Sequence, residues 1–210
     1  GRDFMVIGCP SMYMKGKRLH IQNPKLDVNS KVCFNSNVAA SVPTRKFIKL
    51  KMKEFENHYF IGQVVNELRS IYLGAPYEYK IEYNFRNVTD KIYQDGRLRF
   101  FCNVPKWMEF LNDSDLTFGS RLHGNIAAVL AGTPALLVTK DSRTRELAEY
   151  HHLNAIHESK LNEKLTLQDL VEQQDFTQIE KYQKQNLDRY VAFLKKNDIP
   201  NIFMDGEDPQ

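Results

Sequence analysis

The sequence predicts an α/β domain in which helices cover both faces of a parallel β-sheet, with further helices at the C-terminal end. Short segments rich in β-branched and aromatic residues alternate with helix-like segments over most of the chain. The spacing between these segments leaves room for the crossover helices that parallel strands require. The chain has 210 residues, of which 42% are hydrophobic and 26% charged, as is typical of a globular protein with a sizeable core. Together these features favour a three-layer architecture.

Six short apolar segments are predicted to form strands. Each of them ends in glycine, asparagine or a polar loop, which limits its length. The first begins almost at the start of the chain, and a domain rarely opens on a core strand, so we expect the chain to begin inside a longer protein. The predicted strands cover residues 4–8, 32–35, 58–62, 98–102, 115–119 and 134–138.

Helical spacing of apolar residues separates these strands. Gly74 marks the end of one helix, and Pro105 lies in the first turn of another, where a missing N–H does no harm. Residues 79–96 fit either a strand or a surface excursion. One face of a last, long helix carries Phe176, Ile179, Tyr182, Leu187, Tyr190, Val191 and Leu194. The predicted helices before it cover residues 44–57, 63–74, 104–113, 123–132 and 144–153.

Charge and composition exclude several classes of protein. The net charge is only +3, so no broad basic field indicates a nucleic-acid partner. No apolar run approaches the ~20 residues that span a bilayer, and no signal peptide is recognisable. The three cysteines are widely spaced, which indicates neither a zinc site nor a disulfide framework. We therefore expect a cytoplasmic protein without a metal. The basic segment 45–53 fits peripheral contact with anionic polysaccharide or lipid, or simply a solvated helix face.

The loop between the strand at 115–119 and the following helix has an unusual composition. It reads Gly-Ser-Arg-Leu-His-Gly-Asn over residues 119–125. In open α/β sheets ligands bind beyond the carboxyl ends of the strands, where the first turn of a helix presents N–H groups that favour an anion. Arg121 adds a planar donor fork, and His123 can exchange a proton near neutral pH. The pattern predicts an anion site with an acid–base residue. In the alternative interpretation, Arg121 pairs with a carboxylate such as Asp113 or Asp115, and His123 only packs.

A second loop lies one strand–helix unit further along the chain. Asp141 and Ser142 are good helix caps, and Glu146 fits the first turn of the same helix. Capping does not account for Arg143 and Arg145, because positive charge is unfavourable at a helix N-terminus. Two neighbouring loops that bring arginine to a helix start strengthen the prediction of an anion site, although a solvated helix face also accounts for Arg145.

Residues 113–151 resemble the C-terminal signature of the polysaccharide pyruvyl transferase family. This signature has an aspartate, an Arg-Leu-His-Gly motif, an alanine-rich helix, Gly-x-Pro, a strand, and Asp-x-Arg-x-x-Glu-Leu. The matching residues are Asp115, Arg121-Leu122-His123-Gly124, Gly132-Thr133-Pro134, Asp141, Arg143, Glu146 and Leu147. Residues 7–11, Ile-Gly-Cys-Pro-Ser, are also similar to a turn between the two halves of the family's proteins, whereas the tail beyond about residue 155 carries none of the signature.

The resemblance implies a GT-B-like glycosyltransferase fold of two Rossmann-like domains. Residues 1–155 would be its C-terminal catalytic half, and residues 156–210 a helical extension packed on it. The implied reaction transfers the pyruvyl unit of phosphoenolpyruvate, as donor substrate and without another cofactor, to sugar hydroxyls of a polysaccharide, its precursor or a lipid-linked saccharide, forming a pyruvate ketal. Arg121 would bind the donor, and His123 would be the acid–base residue. The candidate substrate-binding residues are Asn35, Ser36, Ser120, Gly124, Asn125, Asp141, Ser142 and Arg143.

Two other functions remain open from the sequence. A glycosyltransferase that uses a nucleotide-sugar donor would place its diphosphate at the same helix N-termini. A non-catalytic binding module is also compatible, since half of the expected enzyme would be missing. Binding of phosphoenolpyruvate or of a nucleoside diphosphate distinguishes between them.

Overall fold

A computed structural model describes residues 4–76 and 88–203 of the chain, and confirms the α/β prediction. Within these residues a six-stranded parallel sheet has the strand order β3-β2-β1-β4-β5-β6. The strands are β1 (Val32–Asn35), β2 (His58–Gly62), β3 (Leu98–Phe100), β4 (Leu116–Gly119), β5 (Ala135–Thr139) and β6 (Ala155–His157). All residues of β1, β4 and β5 are buried, as expected for strands covered by helices on both faces.

Helices follow the strands as crossover connections. Those of the sheet region are α1 (Val42–Met52), α2 (Val65–Leu73), the single turn α3 (Lys91–Gln94), α4 (Val104–Asn112), α5 (Leu122–Leu130) and α6 (Ser142–His151). Two more, α7 (Leu167–Glu172) and α8 (Gln178–Lys196), come after the last strand. Helix α5 is buried along nearly its whole length, because its alanines and branched residues pack between the sheet and α4. Part of the ambiguous segment 79–96, up to residue 87, lies outside the described residues.

The structure corrects two predictions at the edges of the sheet. Residues 4–8 are not a strand: Phe4 and Val6 are exposed, and the carbonyls of Val6 and Ile7 accept hydrogen bonds from tyrosine hydroxyls instead of from a neighbouring strand. Conversely, residues 155–157 form the strand β6 beside β5, although the sequence pattern predicts no strand there. The segment has only three residues, none of them fully buried, so its apolar pattern is too short to recognise.

The C-terminal helix α8 packs on α6 and on the start of the chain. The Gln183 side chain donates to the carbonyls of Met12 and Gly16, and the ring of Tyr190 stacks on Tyr13 with centroids 4.7 Å apart. These contacts fasten the N-terminal segment, including a short 3-10 helix at Pro10–Tyr13, against the sheet domain.

The basic segment 45–53 does not present all of its charges to solvent. Arg45 and Lys51 are buried: the Arg45 guanidinium donates to Val38 O at 3.3 Å, and Lys51 Nζ pairs with Glu54 at 2.7 Å. These two side chains therefore serve the packing of α1 rather than an external anionic surface. Over residues 4–76 and 88–203, none of the helices has the length and apolar character that crossing a bilayer demands.

Candidate functional site

The Gly-Ser-Arg-Leu-His-Gly-Asn loop begins at the point where the strand order of the sheet reverses. Strand β1 lies between β2 and β4, so successive connections run in opposite directions on either side of it. At the carboxyl ends of these strands Asn35 of β1 is directly paired with Gly119 of β4. Such a switch point is where doubly wound sheets bind their ligands, because the two loops diverge and leave a crevice. The predicted loop therefore lies at the expected place in the fold.

Asn35 and Ser36 hold Arg121 in place. The Asn35 Oδ1 atom accepts the backbone N–H of Arg121 at 2.8 Å, and the Ser36 carbonyl accepts Arg121 Nε at 3.0 Å. Both residues were predicted to line a cleft, but Asn35 is 1% exposed and Ser36 is fully buried. In this arrangement Asn35 fixes the backbone of Arg121 and Ser36 orients its guanidinium, and neither residue faces solvent.

Among the residues that the structure describes, Arg121 forms an ion pair with Glu67, a residue that the sequence pattern did not single out. The Arg121 Nη2 and Glu67 Oε1 atoms are 3.7 Å apart, and the Glu67 side chain is completely buried. Glu67 also accepts the backbone N–H groups of Gln63 and Val64 at the start of α2. Neither suggested partner takes this role: Asp115 accepts the N–H of Lys31 at 2.7 Å, and Asp113 ends α4. The one available signal was a glutamate in the first turn of a predicted helix, which indicates capping and says nothing about a distant arginine.

Burial raises the pKa of the Glu67 carboxyl above its ordinary value, although Arg121 and the two N–H donors act in the opposite direction. The folded state therefore binds this proton more tightly than the unfolded state does. It follows that the stabilising contribution of Glu67 is complete below the unfolded pKa near 4.5 and is lost as the pH rises through the higher folded pKa.

We predict that Glu67→Gln removes this pH dependence. The thermal midpoint of the variant, relative to that of the wild type, should increase as the pH is raised from about 4.5 to neutrality. Glu149→Gln, at an exposed position of α6, is the control and should show no such trend. A difference between Glu67→Gln and wild type that stays constant over this pH range would contradict the prediction.

Helix α5 differs from the other helices that follow strands at this edge of the sheet. Ser41, Asn103 and Asp141 cap α1, α4 and α6 with their side chains, and Glu67 accepts hydrogen bonds at the start of α2. At α5 the N-cap residue is Arg121, whose own side chain makes no capping hydrogen bond. Asn35 Oδ1 accepts only the N–H of Arg121 itself. In the first turn of α5, no acidic side chain of the helix itself accepts hydrogen bonds from the free N–H groups or offsets the positive end of the helix dipole.

His123 and Arg121 share one cavity. It has a volume of about 270 Å³ and is also lined by Gly62, Gln63, Phe100, Phe101 and Trp107. His123 is exposed, whereas the Arg121 side chain is only 15% exposed. Among the described residues, Arg121 Nη2 has no hydrogen-bond partner. We call this space the Arg121 cavity. It combines a cation, an imidazole and aromatic walls, which suits a small anionic ligand beside an apolar or sugar ring.

A second, smaller cavity lies on the other side of the loop. It has a volume of about 160 Å³, and Ser120, Asn37, Lys140, Asp141 and Thr144 contribute polar groups to it. The Ser120 hydroxyl accepts the N–H of Asn37 at 2.8 Å, and Lys140 Nζ donates to the Ala39 carbonyl at 3.2 Å. Of the predicted site residues, Ser120 and Asp141 therefore belong to this second cavity and not to the Arg121 cavity.

Glu158, which also lines the second cavity, occupies the start of α1. It accepts hydrogen bonds from Ser41 Oγ at 2.7 Å and from Thr44 Oγ1 at 2.8 Å. Burial raises the pKa of Glu158, but the two hydroxyl hydrogen bonds and the nearby Lys140 and His157 together outweigh burial, so the net pKa is lowered. The start of α1 already holds an internal carboxylate and is a poorer place for a substrate anion than the start of α5.

The remaining predicted residues divide between packing and the surface. Gly124 packs against Asn35 and Gln63, and the Asn125 amide donates to the carbonyls of Gly119 and Arg121, so both support the loop from inside. Ser142 and Arg143 are exposed in the first turn of α6. Asp141 caps that turn by accepting Thr144 N at 2.8 Å, which lowers the pKa of Asp141. Within the residues that the structure describes, no group of three or more potential ligands could hold a metal ion.

Comparisons with known proteins give one matching family and several solved structures of low sequence identity. A family model for polysaccharide pyruvyl transferase matches residues 4–142. No curated protein matches the chain. Among solved structures, the glycotransferase of kitacinnamycin is 10% identical with a TM-score of 0.44, over 88% of this chain and 47% of that chain. A putative UDP-N-acetylglucosamine 2-epimerase from Listeria monocytogenes is 13% identical with a TM-score of 0.45, over 100% of this chain and 57% of that chain. The glycosyltransferase SnogD from Streptomyces nogalater is 10% identical with a TM-score of 0.36, over 85% of this chain and 44% of that chain. The chain spans about half the length of these structures.

Proposed function

The chain belongs to the polysaccharide pyruvyl transferase family, and from this premise we propose that its Arg121 cavity binds phosphoenolpyruvate as the donor of a pyruvyl group. The acceptor is a saccharide of a polysaccharide or of its lipid-linked precursor, and the product is a pyruvate ketal. The observation that carries the proposal is the start of α5, where the N-cap residue Arg121 makes no capping hydrogen bond with its side chain and lines the same cavity as His123 of the first turn.

Phosphoenolpyruvate carries a phosphate and a carboxylate, so its site needs at least two positive groups. The guanidinium of Arg121 is one, and the first-turn N–H groups of α5 are the second. Glu67 partly offsets the charge of Arg121, but it also fixes the guanidinium, so that little conformational entropy is lost when the donor binds. The buried Asn35 and Ser36 contribute to the same fixed geometry.

The proposed chemistry needs one acid and no metal. A proton from His123 adds to the CH₂ carbon of phosphoenolpyruvate, which becomes a methyl group and leaves positive charge on the neighbouring carbon. One sugar hydroxyl then forms a C–O bond to that carbon. The C–O bond to phosphate breaks as a second hydroxyl closes the ring of the ketal. His123 takes up the proton of one attacking hydroxyl and is restored for the next turnover. The proton of the other hydroxyl goes to the departing phosphate, which keeps the electron pair of the broken C–O bond and leaves as hydrogen phosphate.

The aromatic side of the Arg121 cavity supports the assignment of a saccharide acceptor. Phe101 and Trp107 lie parallel, with ring centroids 6.5 Å apart, next to Arg121 and His123. Aromatic faces pack against the C–H groups of a sugar ring, while its hydroxyls remain free to react. The acceptor would then enter against these rings and present its hydroxyls to the donor held at the start of α5.

A thermal-stability experiment tests the donor site. At roughly 100 times its dissociation constant, a ligand adds about 2.7 kcal/mol to the stability of the folded state. For a chain of this size the thermal midpoint should therefore rise by about 5–10 °C with phosphoenolpyruvate. We predict that this rise disappears in Arg121→Ala. Each variant is compared with and without ligand, so a lower intrinsic stability does not affect the result.

Arg145→Ala is the matched control, because Arg145 is an exposed arginine of the neighbouring helix and contacts only Glu149 at 3.9 Å among described ion pairs. It should keep the full shift. A rise with uridine or guanosine diphosphate but none with phosphoenolpyruvate would favour a nucleotide-sugar transferase and refute the proposal. No rise with either ligand would show that this chain does not form a donor site by itself.

A further inference from the structure

Three side chains around the Arg121 cavity carry a nitrogen donor without an acceptor. In the part of the chain that the structure describes, eight buried side-chain nitrogen or oxygen atoms have no hydrogen-bond partner. Arg121 Nη2, Gln63 Nε2 and Trp107 Nε1 are among these atoms, and all three side chains line this one cavity. Buried donors are normally paired, because an N–H group without an acceptor destabilises a fold. Their concentration at one cavity points to a ligand that is rich in acceptor oxygens.

The Gln63 side chain reaches from the end of β2 to the first turn of α5. Its Nε2 atom would lie only 2.5 Å from a Cβ atom at residue 124, so Gly124 leaves the space that the amide occupies. Gly124 directly follows His123 and belongs to the first turn of α5. The Gln63 amide therefore lies beside the N–H groups that are assigned to the donor of the reaction.

Glu67 connects Gln63 with Arg121. One oxygen of this buried carboxylate accepts the backbone N–H of Gln63, and the other lies 3.7 Å from Arg121 Nη2. The backbone of Gln63 is thus fixed by the same group that fixes the guanidinium. The terminal amide can still rotate, because the last torsion of a glutamine side chain has a broad energy minimum. A small rotation turns its N–H toward the cavity.

A phosphate group suits these donors better than a neutral ligand does. Phosphate offers several acceptor oxygens, and a hydrogen bond to an ionised acceptor is stronger than one to a neutral acceptor. Gln63 also adds a donor without adding a second cation beside the buried Arg121–Glu67 pair, where the desolvation of a further charge would be costly.

We propose that Gln63 is a ligand-binding residue of the Arg121 cavity: its side-chain N–H donates to an oxygen of the phosphate group that Arg121 and the start of α5 bind. That this phosphate belongs to phosphoenolpyruvate rests on the function proposed above, whereas the need of the amide for an anionic acceptor does not. Binding then pairs a buried donor that has no partner within the described part of the fold.

Gln63→Met tests the proposal, because methionine is unbranched, has nearly the length of glutamine and cannot donate a hydrogen bond. The dissociation constant of phosphoenolpyruvate, measured by isothermal titration calorimetry, should rise by about 10–100-fold, as expected for the loss of a hydrogen bond to a charged group. Without ligand, the thermal midpoint of the variant should equal or exceed that of the wild type, since an apolar group replaces an unpaired buried donor. Gln185→Met, at an exposed position of α8, is the matched control and should change neither value.

The two measurements separate ligand binding from packing. A dissociation constant close to the wild-type value overturns the proposal. A lower thermal midpoint of Gln63→Met without ligand also overturns it, because the amide would then have partners within the protein.

A second probe, uridine diphosphate, separates this inference from the proposed function. If the wild type binds uridine diphosphate but not phosphoenolpyruvate, and Gln63→Met weakens that binding, the role of Gln63 stands and the proposed function fails. If phosphoenolpyruvate binding is lost in Arg121→Ala but kept in Gln63→Met, the proposed function stands and the role of Gln63 fails. A wild type that binds neither ligand overturns both.

Discussion

Gly119→Ala is expected to destabilise the protein by about 3 kcal/mol or more, because the added methyl group has no space at the switch point of the sheet. A Cβ atom at this position would overlap the backbone carbonyl oxygen of Asn35 and lie 2.5 Å from Asn35 Oδ1. The clash is with backbone of the paired strand, which cannot move without breaking the ladder between β1 and β4. The change would also disturb the Asn35 oxygen that orients Arg121.

Thermal or urea unfolding of the purified variant measures this effect, as a fall in thermal midpoint of roughly 6–12 °C for a chain of this length. Gly96→Ala is the matched control. Gly96 also has a positive φ, of +63°, but the nearest atom to its Cβ is Arg99 Nη1 at 3.9 Å, so only backbone strain of about 1–2 kcal/mol applies. A loss at Gly119→Ala no greater than that at Gly96→Ala would contradict the steric explanation.

His123→Gln is expected to lower turnover by about 10²–10⁴-fold while leaving donor binding largely intact. Glutamine keeps a polar side chain at this exposed position but cannot transfer a proton at neutral pH. The measurement is the rate of phosphate release from phosphoenolpyruvate in the presence of a saccharide acceptor. It requires a protein preparation in which the wild type has measurable activity. The thermal shift with phosphoenolpyruvate should persist in the same variant, because Arg121 and the start of α5 remain.

His20→Gln is the control for the loss of an imidazole, since His20 is exposed and pairs with Glu180, away from the Arg121 cavity. Its turnover should equal that of the wild type. A His123→Gln variant that retains more than about a tenth of the activity would exclude His123 as the principal acid, given the usual contribution of such groups. Arg121→Ala, by comparison, should lose both turnover and the thermal shift.

The strands and helices around the site could be predicted because their signals are local. Strands β1, β2 and β4 and helix α5 are short apolar runs with clear boundaries, and the structure places them within a few residues of the predicted limits. Predictions were wrong where strand formation depends on whether a neighbouring strand, distant in the sequence, is available for pairing. The apolar residues 4–8 find no neighbouring strand, while the weakly apolar β6 does, because β5 offers it an open edge.

The sequence by itself determined the alternation of strands and helices, and with it a parallel sheet whose loops carry Arg121 and His123 to one edge. It also indicated the family, through motifs confined to a continuous stretch of chain. Only the tertiary structure decided which groups face each other. Glu67 rather than Asp113 or Asp115 lies beside Arg121, and Asn35 and Ser36 point inward to hold it. The physical reason is that strand order and helix packing bring together residues far apart in the chain, and burial then sets their charges. Neither factor is visible in the spacing of residues along one segment.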